Sequence, residues 1–198
     1  NQGGKDNGCI TNTAIQVASE PNTISLSINK ANLTHDMILE TGVFTVSVLS
    51  TAADFSIYKR FGFQSGRDVD KFKECNLTKE PAVNVNVPMI KESPVNIECK
   101  VERIDELGSH HMFVAKVLAV HADEKYMDEK GKFDLSKADL IVYSHGEYHS
   151  MGEKLGTFGY SIKKKTDKKT KANGGAQKCQ KGKKRQKNCQ KSQKLNCS

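Results

Sequence analysis

Three short polar segments carry the side chains best suited to binding a phosphorylated ligand. They are residues 11–13 (T-N-T), residues 29–35 (N-K-A-N-L-T-H) and residues 65–67 (S-G-R). A helix that begins within the second segment offers unpaired backbone N–H groups and partial positive charge, to which Lys30 adds a full charge. Arg67 has the planar guanidinium that binds a phosphate through two parallel hydrogen bonds. These residue types predict an anion-binding site at the ends of strands.

A structural interpretation of the second segment stays open beside this one. Thr34 is a common N-cap residue and would begin a short helix over residues 35–40, which Gly42 would end. Lys30 would then be a solvated turn residue. From the residues alone, this structural interpretation is favoured.

Other kinds of chemistry lack their motifs. The sequence contains no G-x-G-x-x-G, P-loop lysine, G-x-S-x-G, H-E-x-x-H or C-x-x-C motif. His110 and His111 are adjacent, so strand alternation sends their side chains to opposite faces. His145 and His149 are four residues apart, but in a segment without a helical pattern. We therefore expect no metal site.

Strands dominate the predicted secondary structure. Apolar residues alternate cleanly in residues 22–29, and further strands are predicted at residues 9–18, 43–49, 95–104, 111–120 and 140–143. A helix is predicted over residues 52–61, with Phe55, Tyr58 and Phe61 as its apolar face. Because strands and helices do not alternate regularly, we expect a small antiparallel barrel with short connecting helices.

Charge is concentrated at one end of the chain. Residues 161–198 carry a net charge of +13 and the whole chain carries +8, so residues 1–160 are acidic, at −5. The basic segment has almost no large apolar side chains and cannot offset an ordering cost of roughly 1–2 kcal/mol per residue. We expect one folded domain, residues 1–160, followed by a disordered, low-complexity tail, residues 161–198.

The sequence also bears on the compartment and the partners. No apolar run approaches the roughly 18 residues that a transmembrane helix needs, and no secretory signal or dense cysteine framework is present. We expect a cytoplasmic protein that contacts no membrane. The basic tail is interpreted as a solvated segment in preference to a nucleic-acid-binding arm.

Five ordered blocks together resemble the flavin reductase-like, FMN-binding split-barrel family, from about Gly8 to Lys165. The blocks are GCITNTAIQVASEP (8–21), SINKANLTH (27–35), FGFQSGRDVDKF (61–72), LGSHHMFVAKV (107–117) and YSHGEYHSMGEKLGTFGY (143–160). The fourth block is similar to the family's G-[DT]-H segment, with Ser109 in place of the usual Asp or Thr.

The resemblance implies a mainly β fold, an antiparallel Greek-key split barrel that binds FMN near the interface of a homodimer. The family pattern has one more strand before the position of Asn1, so the N-terminal barrel strand is expected to be missing here.

The resemblance also implies roles for individual residues. Asn12 and Thr13 would meet the edge of the isoalloxazine ring, and Ser65 and Arg67 would close the site. His110, which matches the histidine of the fourth block, would orient the nicotinamide. The ribityl chain and phosphate would be served by Ser27, Asn29, Lys30, Asn32 and Thr34.

The implied function is that of an NAD(P)H-dependent FMN reductase. It would transfer a hydride from NAD(P)H to flavin and pass electrons to a soluble acceptor. The alternative is a flavoredoxin-like electron carrier that holds FMN and is reduced by a redox partner protein. A third, less favoured hypothesis from the charge pattern is that the tail binds nucleic acid or an acidic surface.

Overall fold

The computed structural model describes residues 3–161. Most of the regular structure in this range is β-strand, joined by four short helices. The strands are β1 (Ile15–Ser19), β2 (Asn22–Asn29), β3 (Val43–Val48), β4 (Lys79–Pro81), β5 (Pro88–Ile90), β6 (Val95–Leu107), β7 (His110–Ala122), β8 (Ile141–Ser144) and β9 (Glu147–Ser150). The helices are α1 (Leu33–Thr41), α2 (Ser56–Phe63), α3 (Lys71–Glu74) and α4 (Leu135–Ala138), with a 3₁₀ turn at Glu124–Tyr126.

Five strands form one antiparallel sheet in the order β1-β2-β7-β6-β3. Its centre is the long hairpin of β6 and β7, which turns through Gly108 and Ser109 alone. Gly108 has φ +51°, the left-handed conformation that a two-residue hairpin turn needs and that glycine adopts without steric cost. Two small hairpins, β4–β5 and β8–β9, complete the strand pairing. The prediction of an antiparallel β fold with short helices is confirmed.

The main core lies on one face of this sheet. Cys99, Phe113 and Ala115 of the central hairpin are completely buried. The alternating apolar residues of β2 pack against them, as their spacing predicted, and α1 and β3 contribute one side chain each: Ile24, Leu26, Ile28, Ile38 and Phe44. A second, smaller cluster joins α2 to α3 through Ile57, Phe61 and Phe72. Helix α2 is therefore held against α3 by its own apolar face.

Two predicted boundaries in the first third of the chain are wrong. The first strand begins at Ile15 and not at residue 9, because the segment before it bonds to helix α2, where Ile10 N donates to Phe61 O at 3.2 Å. Helix α1 begins at Leu33 with Asn32 at its N-cap, so Thr34 lies inside the first turn and is not the cap. The predicted end is confirmed, since Gly42 caps the helix with φ +68°.

The predicted apolar face of the second helix is partly wrong. Tyr58 and Phe61 are buried, but Phe55 is 61% exposed. Helix α2 covers Ser56–Phe63 and begins four residues later than expected, which leaves Phe55 at the N-cap. The strands of the two small hairpins, apart from β8, were not predicted, because β4, β5 and β9 are short and lack an alternating apolar pattern.

The chain consists of two compact units, with the boundary after Lys154. Residues 3–154 belong to one compact unit, which contains every strand and helix named above. The predicted disordered tail lies outside the described residues, apart from Ser161. Within residues 3–161, no helix has the length and apolar character needed to cross a membrane.

Candidate functional site

The turn between β2 and α1 is held in place by its own backbone and by the central hairpin. Lys30 N donates to Ser109 O at 3.0 Å, which ties the turn to the β6–β7 hairpin. Asn32 N donates to Asn29 O at 3.0 Å, and Ala31 N donates to Asn29 Oδ1 at 2.9 Å. The three predicted residues Asn29, Lys30 and Asn32 therefore lie in one tight turn at the start of α1.

Two cations lie beside this turn, and each is paired with a carboxylate. Lys30 Nζ donates to Glu106, and this contact holds the pKa of Glu106 below its usual value. Arg67 Nη2 donates to Asp36 Oδ2 at 2.8 Å, while Arg67 Nη1 lies 3.5 Å from Ala31 O. All four charged side chains are partly exposed. The guanidinium of the third polar segment thus reaches the turn formed by the second.

The loop that carries Arg67 is packed against the start of the described chain. Ser65 Oγ accepts from Arg67 N at 3.1 Å. Gly66 lies so close to Asn7 that a Cβ at this position would fall 2.0 Å from Asn7 Oδ1. Asn7 Nδ2 in turn donates to Thr34 Oγ1 at 2.9 Å. Asn7, which no motif or periodic pattern marks, links Thr34 to the predicted closing loop.

Thr13 precedes β1 in the chain and continues its pairing with β2. Its hydroxyl donates to Ser27 O at 2.9 Å and accepts from Ser27 N at 3.0 Å, which replaces a pair of backbone hydrogen bonds. The hydroxyl also lies 2.8 Å from that of Thr11. Thr13 and Ser27 are therefore brought together, but through a contact that serves strand pairing.

The two adjacent histidines lie on opposite faces of β7, as alternation requires. His110 Nδ1 is 2.8 Å from Ser109 Oγ. His110 itself pairs with Asn29 in the β2–β7 ladder. His111 Nδ1 is 2.9 Å from Nε2 of His35, a side chain of α1 that is buried. The structure thus places His110 next to the β2–α1 turn, on the face away from His35.

A cavity of about 710 Å³ opens next to these residues. Asn12 and Thr34 line it, whereas the other predicted site residues do not. Its walls are mostly apolar side chains of the core and of α2, together with three tyrosines. Among the described residues that line it, none has a charged side chain. The two cations beside the β2–α1 turn and the uncharged cavity are thus separate environments near the start of α1.

A match to a known protein family identifies the class of protein to which this chain belongs. Residues 1–152 match the model of the flavin reductase-like domain. The chain belongs to the flavin reductase-like domain family. A domain of this family binds a flavin, so a flavin oxidoreductase is the general class of this protein.

Two curated proteins are similar to a large part of this chain. The chain is 32% identical over 149 residues to a ferric-chelate reductase (NAD(P)H) of Archaeoglobus fulgidus, which is 75% of this chain and 78% of that protein. It is 34% identical over 117 residues to a high molecular weight rubredoxin of Moorella thermoacetica. That match covers 59% of this chain, which spans only half the length of the rubredoxin.

Solved structures of the flavin reductase-like family show the same fold. Flavoredoxin of Desulfovibrio vulgaris (Miyazaki F) is 31% identical with a TM-score of 0.71, over 76% of this chain and 81% of that one. Flavoredoxin of Methanosarcina acetivorans is 27% identical with a TM-score of 0.74, over 82% and 88% of the two chains. A flavin reductase with a split barrel domain from Shewanella frigidimarina has a TM-score of 0.67 at 20% identity, over 77% of each chain. The predicted split-barrel fold is confirmed.

Several residues around the β2–α1 turn and the cavity carry no motif that would single them out in the sequence. Asp36 and Glu106 hold the two cations, Asn7 joins the loops, and Tyr143 and Tyr148 line the cavity. Asp36 had a detectable signal, since an acidic residue in the first turn of a helix is favoured by the helix dipole. Asn7 and Glu106 are brought in by contacts with residues 27 and 76 positions away, and Tyr148 packs against Tyr58 of α2, contacts that no local pattern reports.

Proposed function

We propose that this chain binds FMN and reduces it with a hydride from NAD(P)H, passing the electrons on to a soluble acceptor. The observation that carries the proposal is that Arg67, from a distant loop, contacts the same turn that holds Lys30 at the start of α1. Two cations and a helix N-terminus in one place favour a phosphate. The adjacent uncharged cavity suits a flavin ring.

The chain's first task in this proposal is to grip the phosphate and the ribityl chain. Lys30 and Arg67 would exchange their carboxylate partners for phosphate oxygens. Breaking these ion pairs would cost little free energy, because partly exposed ion pairs stabilise a protein by about 0–1 kcal/mol. Asn29, Asn32 and Thr34 would hydrogen-bond the ribityl hydroxyls. Ser65, whose hydroxyl accepts from Arg67 N, would help to hold the Arg67 loop over the ligand.

The second task is to orient the ring and exclude water from it. FMN itself supplies the chemistry, because its ring accepts a hydride and releases electrons singly or in pairs. Asn12 lines the cavity and would meet the ring edge, beside Thr13, which anchors that segment to Ser27. The apolar walls would keep water away from the reacting face.

His110 is the residue that we propose orients the nicotinamide. It would act by hydrogen bonding and not by proton transfer, since hydride passes directly between the two rings. His110→Ala should therefore raise the KM for NAD(P)H while the Kd for FMN stays unchanged. An unaltered KM would remove His110 from the nicotinamide site.

A flavoredoxin-like electron carrier is the second candidate, favoured by the 31% identity to a flavoredoxin. The relative named as a rubredoxin supports a redox partner protein as the electron donor or acceptor. We also propose that the chain acts as a homodimer in the cytoplasm.

The activity test uses the purified chain with FMN, an electron acceptor, and NADH or NADPH. A reductase oxidises at least one nucleotide faster than free flavin does under the same conditions. A carrier is reduced slowly by both nucleotides in stopped-flow spectra and quickly by a reduced partner protein. Failure to bind FMN would exclude both candidates.

A further inference from the structure

Two histidines connect the two ion pairs of the β2–α1 turn. His35 Nε2 and His111 Nδ1 are 2.9 Å apart, and His35 Nδ1 is 2.9 Å from Asp36 Oδ1. Asp36 is the carboxylate that holds Arg67. His111 stands directly opposite Glu106 in the β6–β7 ladder, so these two side chains lie on the same face of the sheet. The histidine pair therefore lies between the carboxylate partners of both cations.

The histidine pair is apolar along its sides and charged at its two ends. The ring centroid of Phe113 is 5.8 Å from that of His35 and 6.2 Å from that of His111. Ile28, which pairs with His111 from β2, belongs to the core. The charged side chains at the two ends are two acids and the cations that they hold: Asp36 with Arg67, and Glu106 with Lys30. Because His35 is only 4% exposed, water screens its contacts weakly.

The pair can take up one proton without losing either of its hydrogen bonds. An ionised carboxylate only accepts, so His35 Nδ1 carries a hydrogen and donates to Asp36 Oδ1. In a neutral pair, His111 Nδ1 then donates to His35 Nε2. A further proton on His111 Nε2 keeps both contacts and places an imidazolium on the same face as Glu106. Lys30 is the main cause of the lowered pKa of Glu106, and His111 lowers that pKa as well.

Binding of a phosphate would change the charge around the pair. In the proposed function, Lys30 and Arg67 turn from their carboxylates to the phosphate of FMN, which brings a charge of about −1.5 to −2. Asp36 and Glu106 then lose their cations but stay beside the histidines. Both changes add uncompensated negative charge, which favours a protonated histidine pair over a neutral one.

We propose that the His35–His111 pair takes up a proton when the phosphate of FMN binds, so that phosphate binding at this turn is coupled to pH. The inference rests on the proposed function, because the phosphate must displace both carboxylates. Imidazoles gain protons between pH 8 and pH 5, and linkage is reciprocal. FMN therefore binds more tightly as pH falls from 8 towards 7. The histidines act through the two carboxylates and not as ligands of the phosphate.

The test counts protons by isothermal titration calorimetry of the full chain at about pH 7.5, where a phosphate monoester is almost fully ionised. FMN is titrated in HEPES and in Tris, whose ionisation enthalpies differ, so the difference between the two binding enthalpies gives the number of protons exchanged. Riboflavin is the second probe, because it has the same ring and ribityl chain without the phosphate.

The variant is His111→Asn, because the amide nitrogen of asparagine can replace Nδ1 as a donor to His35 but does not titrate. This variant keeps the hydrogen bond of the pair and removes one of its titratable rings. His149→Asn is the matched control, since His149 lies beside Glu147 in β9 and does not line the cavity.

Wild type and His149→Asn should take up roughly half a proton per FMN bound, and His111→Asn less than half of that amount. Riboflavin should bind to all three proteins with almost no proton uptake. From about pH 8 to pH 7, the FMN affinity of wild type should rise about two- to fivefold relative to that of His111→Asn, since a full proton corresponds to tenfold per pH unit. A merely structural role of His111 would change affinity without changing the proton count.

Equal proton uptake by wild type and His111→Asn overturns the proposal, and so does equal uptake with FMN and riboflavin in wild type. The second comparison needs no variant, so it decides the matter even where His111→Asn fails to fold. FMN that binds wild type without proton uptake contradicts this inference and leaves the proposed function standing. FMN that does not bind at all contradicts both.

Discussion

Asn7 Nδ2 donates a hydrogen bond to Thr34 Oγ1 over 2.9 Å, joining the beginning of the described chain to the first turn of α1. Gly66 leaves Asn7 the space that this contact needs. The hydrogen bond therefore joins Asn7, against which Gly66 of the Arg67 loop packs, to a residue that the proposed function assigns to FMN.

Gly66→Ala should disturb this coupling. The new Cβ would fall 2.0 Å from Asn7 Oδ1, so Asn7 must move and release Thr34. We expect FMN binding to weaken by about 0.5–1.5 kcal/mol, the usual contribution of one hydrogen bond, in a fluorescence titration. Gly152→Ala is the control, because a Cβ there meets no atom within 4 Å and Gly152 does not line the cavity. Equal FMN affinity in both variants would show that the contact is irrelevant to binding.

Lys30→Ala tests whether the β2–α1 turn binds the phosphate. We expect FMN affinity to fall by roughly 1–3 kcal/mol, as for the loss of a charge-assisted hydrogen bond. Riboflavin lacks the phosphate, so its affinity should be almost the same in wild type and variant. Lys125→Ala removes a lysine that pairs with Asp123 outside the site and serves as control. Equal losses for riboflavin and FMN would point to a disrupted fold and not to a phosphate site.

Glu98 should make stability depend on pH. Its side chain is completely buried and accepts hydrogen bonds from Val83 N at 2.9 Å, Asn84 N at 2.7 Å and His121 Nε2 at 2.6 Å. Burial raises the pKa of Glu98, but these donors outweigh it and hold the pKa below its usual value. A lowered pKa stabilises the folded state above the ordinary carboxyl pKa, and this stabilisation is lost as pH falls through the lowered value.

The matching variant is Glu98→Gln. It should lower the free energy of unfolding at pH 7 by about 1–3 kcal/mol, because the amide nitrogen cannot accept from the buried donors. Between pH 7 and pH 3 the variant should also lose less stability than wild type, as judged by urea unfolding at several pH values. Glu102→Gln, at an exposed position of the same strand, is the control. Parallel pH profiles for wild type and Glu98→Gln would contradict this assignment.

Deletion of residues 161–198 tests the basic tail. This segment carries a net charge of +13 and the rest of the chain −5, so any affinity for DNA should be electrostatic and should disappear with the segment. FMN affinity should be unchanged in the shortened protein. Salt-dependent DNA binding that survives the deletion, measured by fluorescence anisotropy, would assign that binding to the folded domain.

Local patterns in the sequence predicted much of this molecule. The alternation of Ile24, Leu26 and Ile28 predicted the buried face of β2, because side chains of a strand point alternately to opposite faces. Gly42 ended a helix as expected, since glycine adopts the left-handed conformation without a Cβ clash. The ordered blocks predicted the family, which the match over residues 1–152 shows.

Tertiary contacts decided what the local patterns left open. Thr34 was predicted as a helix cap, but Asn7 engages its hydroxyl and Asn32 takes the N-cap position. The partners of Lys30 and Arg67, Glu106 and Asp36, follow from how the β6–β7 hairpin and the 64–70 loop meet the β2–α1 turn. Propensity and periodicity act over a few neighbouring residues, whereas the charge pairing and the contact of Tyr58 with Tyr148 depend on which distant segments fold together. The sequence alone thus determined the strands of the main sheet, apart from where β1 begins, and the family. Only the tertiary structure decided how the site is assembled.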